Sequence, residues 1–149
     1  MKIQEEIKQS AFKNEYQKLL INQLFTGKWV GELVSQHLKP FGLSNQQYNV
    51  LRILRGKAGK PTSVNEISDR MIDKMSNVSR LIDKLKVKKL LRRKTNSQDR
   101  RQVDIEITPL GLEMLAEIDL IEFKLYENLH KLSVEEAKQL NELLDKLRS

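Results

Sequence analysis

Apolar residues recur at spacings of three and four over much of this chain, which is the pattern of amphipathic helices. The longest stretch runs from Asn14 to Lys39 and predicts one helix of about seven turns. Pro40 and the turn at Gly42 are predicted to end this helix. Residues 1–13 are polar with scattered apolar positions and predict a weakly packed lead-in.

Three shorter helices are predicted in the next part of the chain. Ser44 and Ser63 each precede a Gln or Glu by three residues, the capping-box pattern that starts a helix. Asp73 is predicted to cap the third helix, which runs to about Lys88. Its apolar stripe has a period near 3.6 and consists of Met75, Val78, Leu81, Ile82 and Leu85.

A β-hairpin is predicted after the third helix. Residues 90–94 form one candidate strand, and residues 103–107 alternate apolar with acidic side chains, as a half-buried strand does. Thr108 and Pro109 then supply an N-cap and a first-turn proline for two further helices. The pattern predicts a mainly α protein with one small β-hairpin.

The positive charge of the chain is concentrated in one segment. The formal net charge is +7, and residues 84–101 contain nine Lys or Arg against one acid, Asp99. That segment alone is +8, so the remaining residues sum to −1. Local positive charge on a helix followed by a hairpin favours nucleic-acid phosphate as the partner.

Composition excludes several classes of function. There is no cysteine, and no apolar run approaches the roughly 18 residues that a membrane span needs. No signal-peptide pattern is present, so we expect a soluble cytoplasmic protein. His37 lacks companions at metal-ligand spacing, and His130 has only Glu127 and Glu135 or Glu136 near it. No phosphate loop, nucleophile elbow or catalytic carboxylate pair appears. We therefore expect no enzyme activity, no catalytic residue, no cofactor and no metal.

The outward face of the third short helix is a candidate reading surface for DNA. Once the apolar stripe is buried, the side chains left outside are Ser76, Asn77, Ser79, Arg80, Asp83 and Lys84. Small residues let a helix enter the roughly 12 Å wide major groove, where Asn and Arg can read adenine and guanine. The alternative is a solvated polar face, but the preceding short helix and the following basic hairpin favour the DNA interpretation.

The predicted hairpin loop, Thr95–Arg101, is a second candidate surface. Asp99 can hold one of the neighbouring guanidinium groups, Arg100 or Arg101, in a bidentate pair. The other guanidinium is then available for a narrow minor groove, whose negative potential attracts arginine. The alternative interpretation is a purely structural turn.

These motifs resemble the MarR family of winged helix-turn-helix transcriptional regulators. The similarity is carried by SNVSRLIDKL (Ser76–Leu85), by Asp99-Arg100-Arg101, and by the strand that ends in Ile107-Thr108-Pro109-Leu110-Gly111. By resemblance, Arg101 corresponds to the wing arginine of the family and Asp99 to its partner. Lys89 departs from the pattern because the family usually has glycine there, which matters if the backbone requires a positive φ.

The resemblance covers nearly the whole chain and implies its organisation. A single domain of residues 1–149 would contain a winged helix-turn-helix lobe at 44–108, flanked by dimerisation helices at 14–39 and 109–149. The implied function is a homodimeric, sequence-specific double-stranded DNA-binding regulator, a repressor, on a pseudo-palindromic operator. The predicted DNA-binding residues are Ser63, Lys74, Ser76, Asn77, Ser79, Arg80, Lys84, Arg92, Asn96, Ser97, Asp99, Arg100 and Arg101.

Members of the family often bind small aromatic anions between the dimerisation helices and the DNA-binding lobe. Trp29, Phe41 and Tyr48 lie near that junction in the sequence and are candidates for an effector pocket; the alternative is that they belong to the core. Two alternative functions remain open, a protein–protein docking module and a non-specific DNA-binding protein. A membrane partner is disfavoured because it would need exposed apolar side chains, and the apolar stripe is needed for the core. Single-stranded RNA is disfavoured because it would need aromatic residues for base stacking, and residues 63–108 contain none.

Overall fold

The computed structural model describes residues 1–95 and 103–149, which form two compact units, residues 1–45 and residues 46–149. The first unit contains helix α1 (Ile3–Glu6), the long helix α2 (Glu15–Leu38) and a 3₁₀ turn (Lys39–Phe41). The second contains most of helix α3 (Asn45–Arg55), then α4 (Val64–Arg70), α5 (Val78–Val87), strands β1 (Leu91–Thr95) and β2 (Val103–Ile107), α6 (Pro109–Glu127) and α7 (Val134–Arg148).

The long first helix is confirmed. The side chain of Asn14 accepts a hydrogen bond from the Gln17 N–H at 2.9 Å and so caps α2. The 3₁₀ turn after α2 ends at Gly42, whose φ of 63° is a conformation that glycine adopts readily. The prediction for residues 1–13 was wrong in part, because α1 is a helical turn and Ile3 is buried.

The second unit is built around apolar residues from six of its elements. Its most deeply buried side chains include Val50, Leu51, Ile67, Ile82, Leu85, Leu91, Ile105, Leu115 and Ile118. Two ion pairs join α3 to α6: Arg55 with Asp119, whose closest atoms are 2.5 Å apart, and Arg52 with Glu122 at 3.6 Å. The first helix of the predicted DNA-binding lobe is thereby fixed to α6.

The hairpin is antiparallel and pairs Arg93 with Ile105. A third backbone segment joins its edge, because Thr62 and Ile105 exchange two hydrogen bonds, at 3.2 and 2.8 Å. Thr62 is buried, and its hydroxyl donates to Glu66 in the capping box of α4 at 2.8 Å. The start of α4 and the hairpin therefore form one structural element.

The predicted start of the third short helix was wrong. Asn77, not Asp73, is the N-cap of α5, and it accepts a hydrogen bond from the Arg80 N–H at 3.0 Å. Asp73 instead closes the preceding turn by accepting from the Met75 N–H at 3.0 Å. Met75 therefore precedes the helix and is exposed, although the sequence pattern placed it in the buried stripe.

The end of α5 confirms the expectation about Lys89. This residue has a φ of 60°, in the left-handed region. The Leu90 N–H bonds to the Leu85 carbonyl at 3.1 Å and the Lys89 N–H to the Lys86 carbonyl at 2.9 Å, which is a Schellman motif. Lysine thus occupies the position in the motif that usually belongs to glycine.

The segment Thr108–Gly111 is packed against this same exit. The Thr108 hydroxyl donates to the Lys89 carbonyl at 2.7 Å and accepts from the Gly111 N–H at 3.1 Å. A Cβ atom on Gly111 would collide with the Leu90 carbonyl oxygen. Threonine as a cap and glycine three residues later are therefore both required by the contact between α6 and the residues that lead into β1.

The last two helices leave much apolar surface exposed. Leu115 and Ile118 of α6 are buried, but Leu112 is exposed. A capping box of Ser133 and Glu136 starts α7, and no residue of α7, all of which is described, is buried. Leu140, Leu143 and Leu147 of α7 are exposed.

Candidate nucleic-acid interface

The outward face of α5 carries polar side chains, as the periodicity predicts. Val78, Ile82 and Leu85 are buried, while Ser79, Arg80, Asp83 and Lys84 are exposed. Beside this face lies a shallow cleft of about 300 Å³, lined by Gln46, Asp73, Ser76, Asn77, Arg80, Leu81 and Lys84. The first turns of α5 thus present amide, hydroxyl, guanidinium and ammonium groups around one concave surface.

The turn that leads into α5 is fixed by hydrogen bonds from α3. The Ile72 N–H donates to Asn49 Oδ1 at 2.9 Å, and Gln46 Nε2 donates to Asp73 Oδ2 at 3.3 Å. The Gln46 hydrogen bond, followed by that of the Met75 N–H, lowers the pKa of Asp73. The carboxylate stays charged and holds the helix entrance in one conformation.

One ion pair connects α5 to the hairpin. Asp83 Oδ1 lies 2.9 Å from a terminal nitrogen of Arg93 on β1. This contact neutralises the only carboxylate on the outward face of α5. It also links α5 to β1.

The other outward cations of β1 are paired with Glu106 on β2. Arg92 and Lys94 approach Glu106 Oε2 at 2.8 and 3.0 Å. Lys94, more than Arg92, lowers the pKa of this carboxyl. Arg92 belongs to the predicted DNA-binding set. In the structure it is paired with Glu106, a partner that the sequence did not suggest.

The predicted DNA-binding residues thus fall into three groups. Ser79, Arg80 and Lys84 are exposed, and no other side chain in residues 1–95 or 103–149 bonds to theirs. The side chains of Ser63 and Asn77 serve as helix caps, Ser76 is half-buried, Lys74 Nζ donates to the Asp69 carbonyl at 2.5 Å, and Arg92 is paired with Glu106. Asn96, Ser97, Asp99, Arg100 and Arg101 lie outside the described residues.

The comparisons with known proteins agree with this geometry. A sequence model described as the MarR family matches residues 41–102, which include α3, α4, α5 and β1. The HTH-type transcriptional regulator MhqR of Bacillus subtilis is 29% identical over 126 residues, which are 79% of this chain and 81% of that protein. This chain is similar to the MarR family over residues 41–102. The relative that it matches along most of its length is a transcriptional regulator.

Solved structures of MarR-type regulators share the fold. A cysteine-to-serine mutant of MarR from E. coli, in complex with operator DNA, has a TM-score of 0.81 and 24% identity, covering 93% of this chain and 99% of that one. The organohalide-sensing regulator RdhR, with 2,4-dichlorophenol bound, has a TM-score of 0.81 and 17% identity, covering 94% of this chain and 85% of that one. The mainly α fold with a hairpin wing is confirmed.

The predicted effector residues are distributed over both units. Trp29 and Phe41 belong to the first unit, and Tyr48 to the second. The Tyr48 hydroxyl accepts a hydrogen bond from Arg52 at 2.9 Å, and the Arg52 guanidinium carbon lies 5.7 Å from the ring centroid. A shared pocket for the three aromatic residues stays a prediction.

Within residues 1–95 and 103–149, no helix is long and apolar enough to cross a membrane. No group of three or more His, Cys, Asp or Glu side chains in that part of the chain is arranged to hold a metal ion.

Proposed function

We propose that this protein is a homodimeric repressor of the MarR type that binds a pseudo-palindromic double-stranded operator in the cytoplasm. The observation that supports it most directly is the outward face of α5. Arg80 and Lys84 are exposed there, and the one carboxylate on that face, Asp83, is neutralised by Arg93. A helix with this face can enter a major groove without burying an unpaired negative charge against phosphate.

Arg80 is the residue best suited to read a base. Its guanidinium can donate two parallel hydrogen bonds to guanine O6 and N7. Asn77 is less suited to adenine, because its Oδ1 already accepts the capping hydrogen bond from the Arg80 N–H. Lys84, one turn further along the same face, is suited to a phosphate oxygen.

The exposed apolar surface supports a dimer. Tyr16, Leu20 and Leu24 of α2 are 83, 61 and 68% exposed, and Leu143 and Leu147 of α7 are 63 and 56% exposed. Apolar rows of this size on long helices are stabilised when a second copy covers them. A two-fold dimer would place two α5 helices about 34 Å apart, on successive major grooves.

The wing and the effector complete the proposal. We assign the minor-groove contact to Arg101, held by Asp99, on the family resemblance. RdhR binds 2,4-dichlorophenol. By analogy, a small aromatic or anionic effector would release the DNA, and Trp29, Phe41 and Tyr48 are the candidate residues for contact with it.

The experiment that tests the proposal is a selection of bound duplexes from a random library at about 150 mM salt, near physiological ionic strength. We expect a pseudo-palindrome whose half-sites lie about one helical turn apart. On that operator, Arg80→Ala should weaken binding by about 5- to 150-fold per half-site, the cost of one bidentate base contact. Arg101→Ala should also weaken binding, while Lys146→Ala on α7 removes the same charge as a control.

Three outcomes would contradict the proposal. Binding of the operator by Arg80→Ala as tightly as by wild type would exclude α5 as the reading helix. Enrichment of no sequence, with only salt-sensitive bulk binding, would favour a non-specific DNA-binding protein. No binding to duplex DNA at all would favour a protein-docking module.

A further inference from the structure

The turn between α4 and α5 presents an apolar side chain beside the proposed DNA-reading face. Met75 is 93% exposed, and it lies two residues before Asn77, the N-cap of α5. We propose that Met75 reads the 5-methyl group of a thymine in each half-site of the operator. This inference rests on the proposed DNA-binding function.

The turn holds the backbone of Met75 in a defined position. The Met75 N–H donates to Asp73 Oδ1 at 3.0 Å, and the Ser76 N–H donates to the Asp73 carbonyl at 3.2 Å. Asp73 in turn accepts from Gln46 of α3 at 3.3 Å. A side chain on such a turn can contact a ligand at little cost in backbone entropy.

The electrostatic surroundings of Met75 identify the kind of partner. Lys74 is its neighbour in sequence, and Arg80 and Lys84 are exposed on the next turns of α5. Asp73 is the one acid in this turn, and its carboxylate already accepts hydrogen bonds from Gln46 and from the Met75 N–H. An exposed apolar side chain with these cations nearby fits a surface that is anionic but carries isolated apolar groups. The major-groove edge of DNA has this character, because thymine presents a methyl group there between the phosphate backbones.

The chemistry of methionine suits this contact. Its unbranched, flexible side chain can reach beyond the turn and adapt to the edge of a base. Ile72, in the same turn and 88% exposed, is shorter, branched and three residues further from α5. We therefore assign the methyl contact to Met75 and use Ile72 as the matched control.

Replacement of thymine by deoxyuridine removes the methyl group and leaves the hydrogen-bonding edge of the base unchanged. Burial of one methyl-sized group corresponds to about a four-fold change in affinity. We expect substitution at one position of a half-site to weaken wild-type binding by about four-fold, and substitution in both half-sites by about 15-fold.

The test is a double-mutant cycle measured by fluorescence anisotropy on the selected operator. Each thymine is replaced by deoxyuridine in turn, and each duplex is titrated with wild type, Met75→Ala and Ile72→Ala. Met75→Ala should bind the thymine operator about four-fold more weakly per half-site and should no longer distinguish the deoxyuridine duplex. Ile72→Ala should keep the wild-type sensitivity. Circular dichroism of the variants verifies the fold.

Three outcomes would overturn the assignment. In the first, no position is sensitive to loss of the methyl group in wild type. In the second, Met75→Ala keeps the full sensitivity. In the third, Ile72→Ala loses it instead. Failure of wild type to bind any duplex would refute the proposed function itself, and the two failures are therefore distinguishable.

Discussion

Replacement of Lys89 by glycine should stabilise this protein. Lys89 has a φ of 60° at the end of α5, where its Cβ atom crowds the backbone. A left-handed conformation costs an L-residue roughly 1–2 kcal/mol, and glycine avoids that cost. Glycine also has greater freedom in the unfolded chain, which offsets part of the gain. We expect Lys89→Gly to raise the free energy of unfolding by about 1 kcal/mol and the Tm by about 2–4 °C.

Two matched variants separate the backbone effect from loss of the charge. Lys89→Ala removes the ammonium group but keeps the Cβ atom, so it should not reproduce the gain. Lys86→Gly places glycine in the last turn of α5, where it should destabilise by about 1 kcal/mol. Urea unfolding at one fixed protein concentration measures all four proteins, because dimerisation would make stability depend on concentration. If Lys89→Gly were no more stable than Lys89→Ala, the strain argument would be wrong.

Two further predictions concern the contacts that position the interface. Gly111→Ala should lower the free energy of unfolding by about 1–3 kcal/mol, because the new Cβ atom meets the Leu90 carbonyl oxygen. Gly27→Ala on α2 is the control, because a Cβ atom there meets nothing within 4 Å. Equal stabilities of the two variants in urea unfolding would contradict this prediction. The Ser63 N–H, followed by the Thr62 hydroxyl and Lys57, lowers the pKa of Glu66 from its ordinary 4.5 to about 2. A carboxyl whose pKa is lower in the folded state stabilises the protein above pH 4.5, and this stabilisation is lost as the pH falls toward 2. Between these pH values the urea midpoint should therefore fall less steeply for Glu66→Gln than for wild type, and parallel slopes would exclude this contribution.

The elements that the sequence predicts well are those with local determinants. The capping boxes of α4 and α7 involve residues only three positions apart, so the pattern is sufficient to locate both helix starts. The start of α5 was misplaced because Asp73 and Asn77 are equally good caps by residue type. In the structure, Gln46 of α3 donates a hydrogen bond to Asp73, and Asn49 of α3 accepts one from the Ile72 N–H. These partners are 27 and 23 residues apart in the sequence, so no local pattern indicates them.

The same distinction applies to the candidate interface. Helical periodicity is sufficient to identify the outward face of α5, including Arg80 and Lys84. It does not show which cations are already paired. The contact of Asp83 with Arg93 depends on how β1 leaves α5, and that of Arg92 with Glu106 depends on the register of the hairpin.

The ion pairs also change how the local charge of +8 is interpreted. Three of its cations, Arg92, Arg93 and Lys94, contact carboxylates, and the acids involved are Asp83 and Glu106. An unpaired acid beside α5 would repel phosphate, but each of these acids is neutralised and fixes the position of a cation. The positive charge of Arg92, Arg93 and Lys94 is therefore partly compensated by carboxylates, and these ion pairs link β1 to β2 and to α5. Among the described residues of α5, Arg80 and Lys84 are exposed and make no ion pair, so we expect substitutions at these two positions to weaken DNA binding more than substitutions in β1.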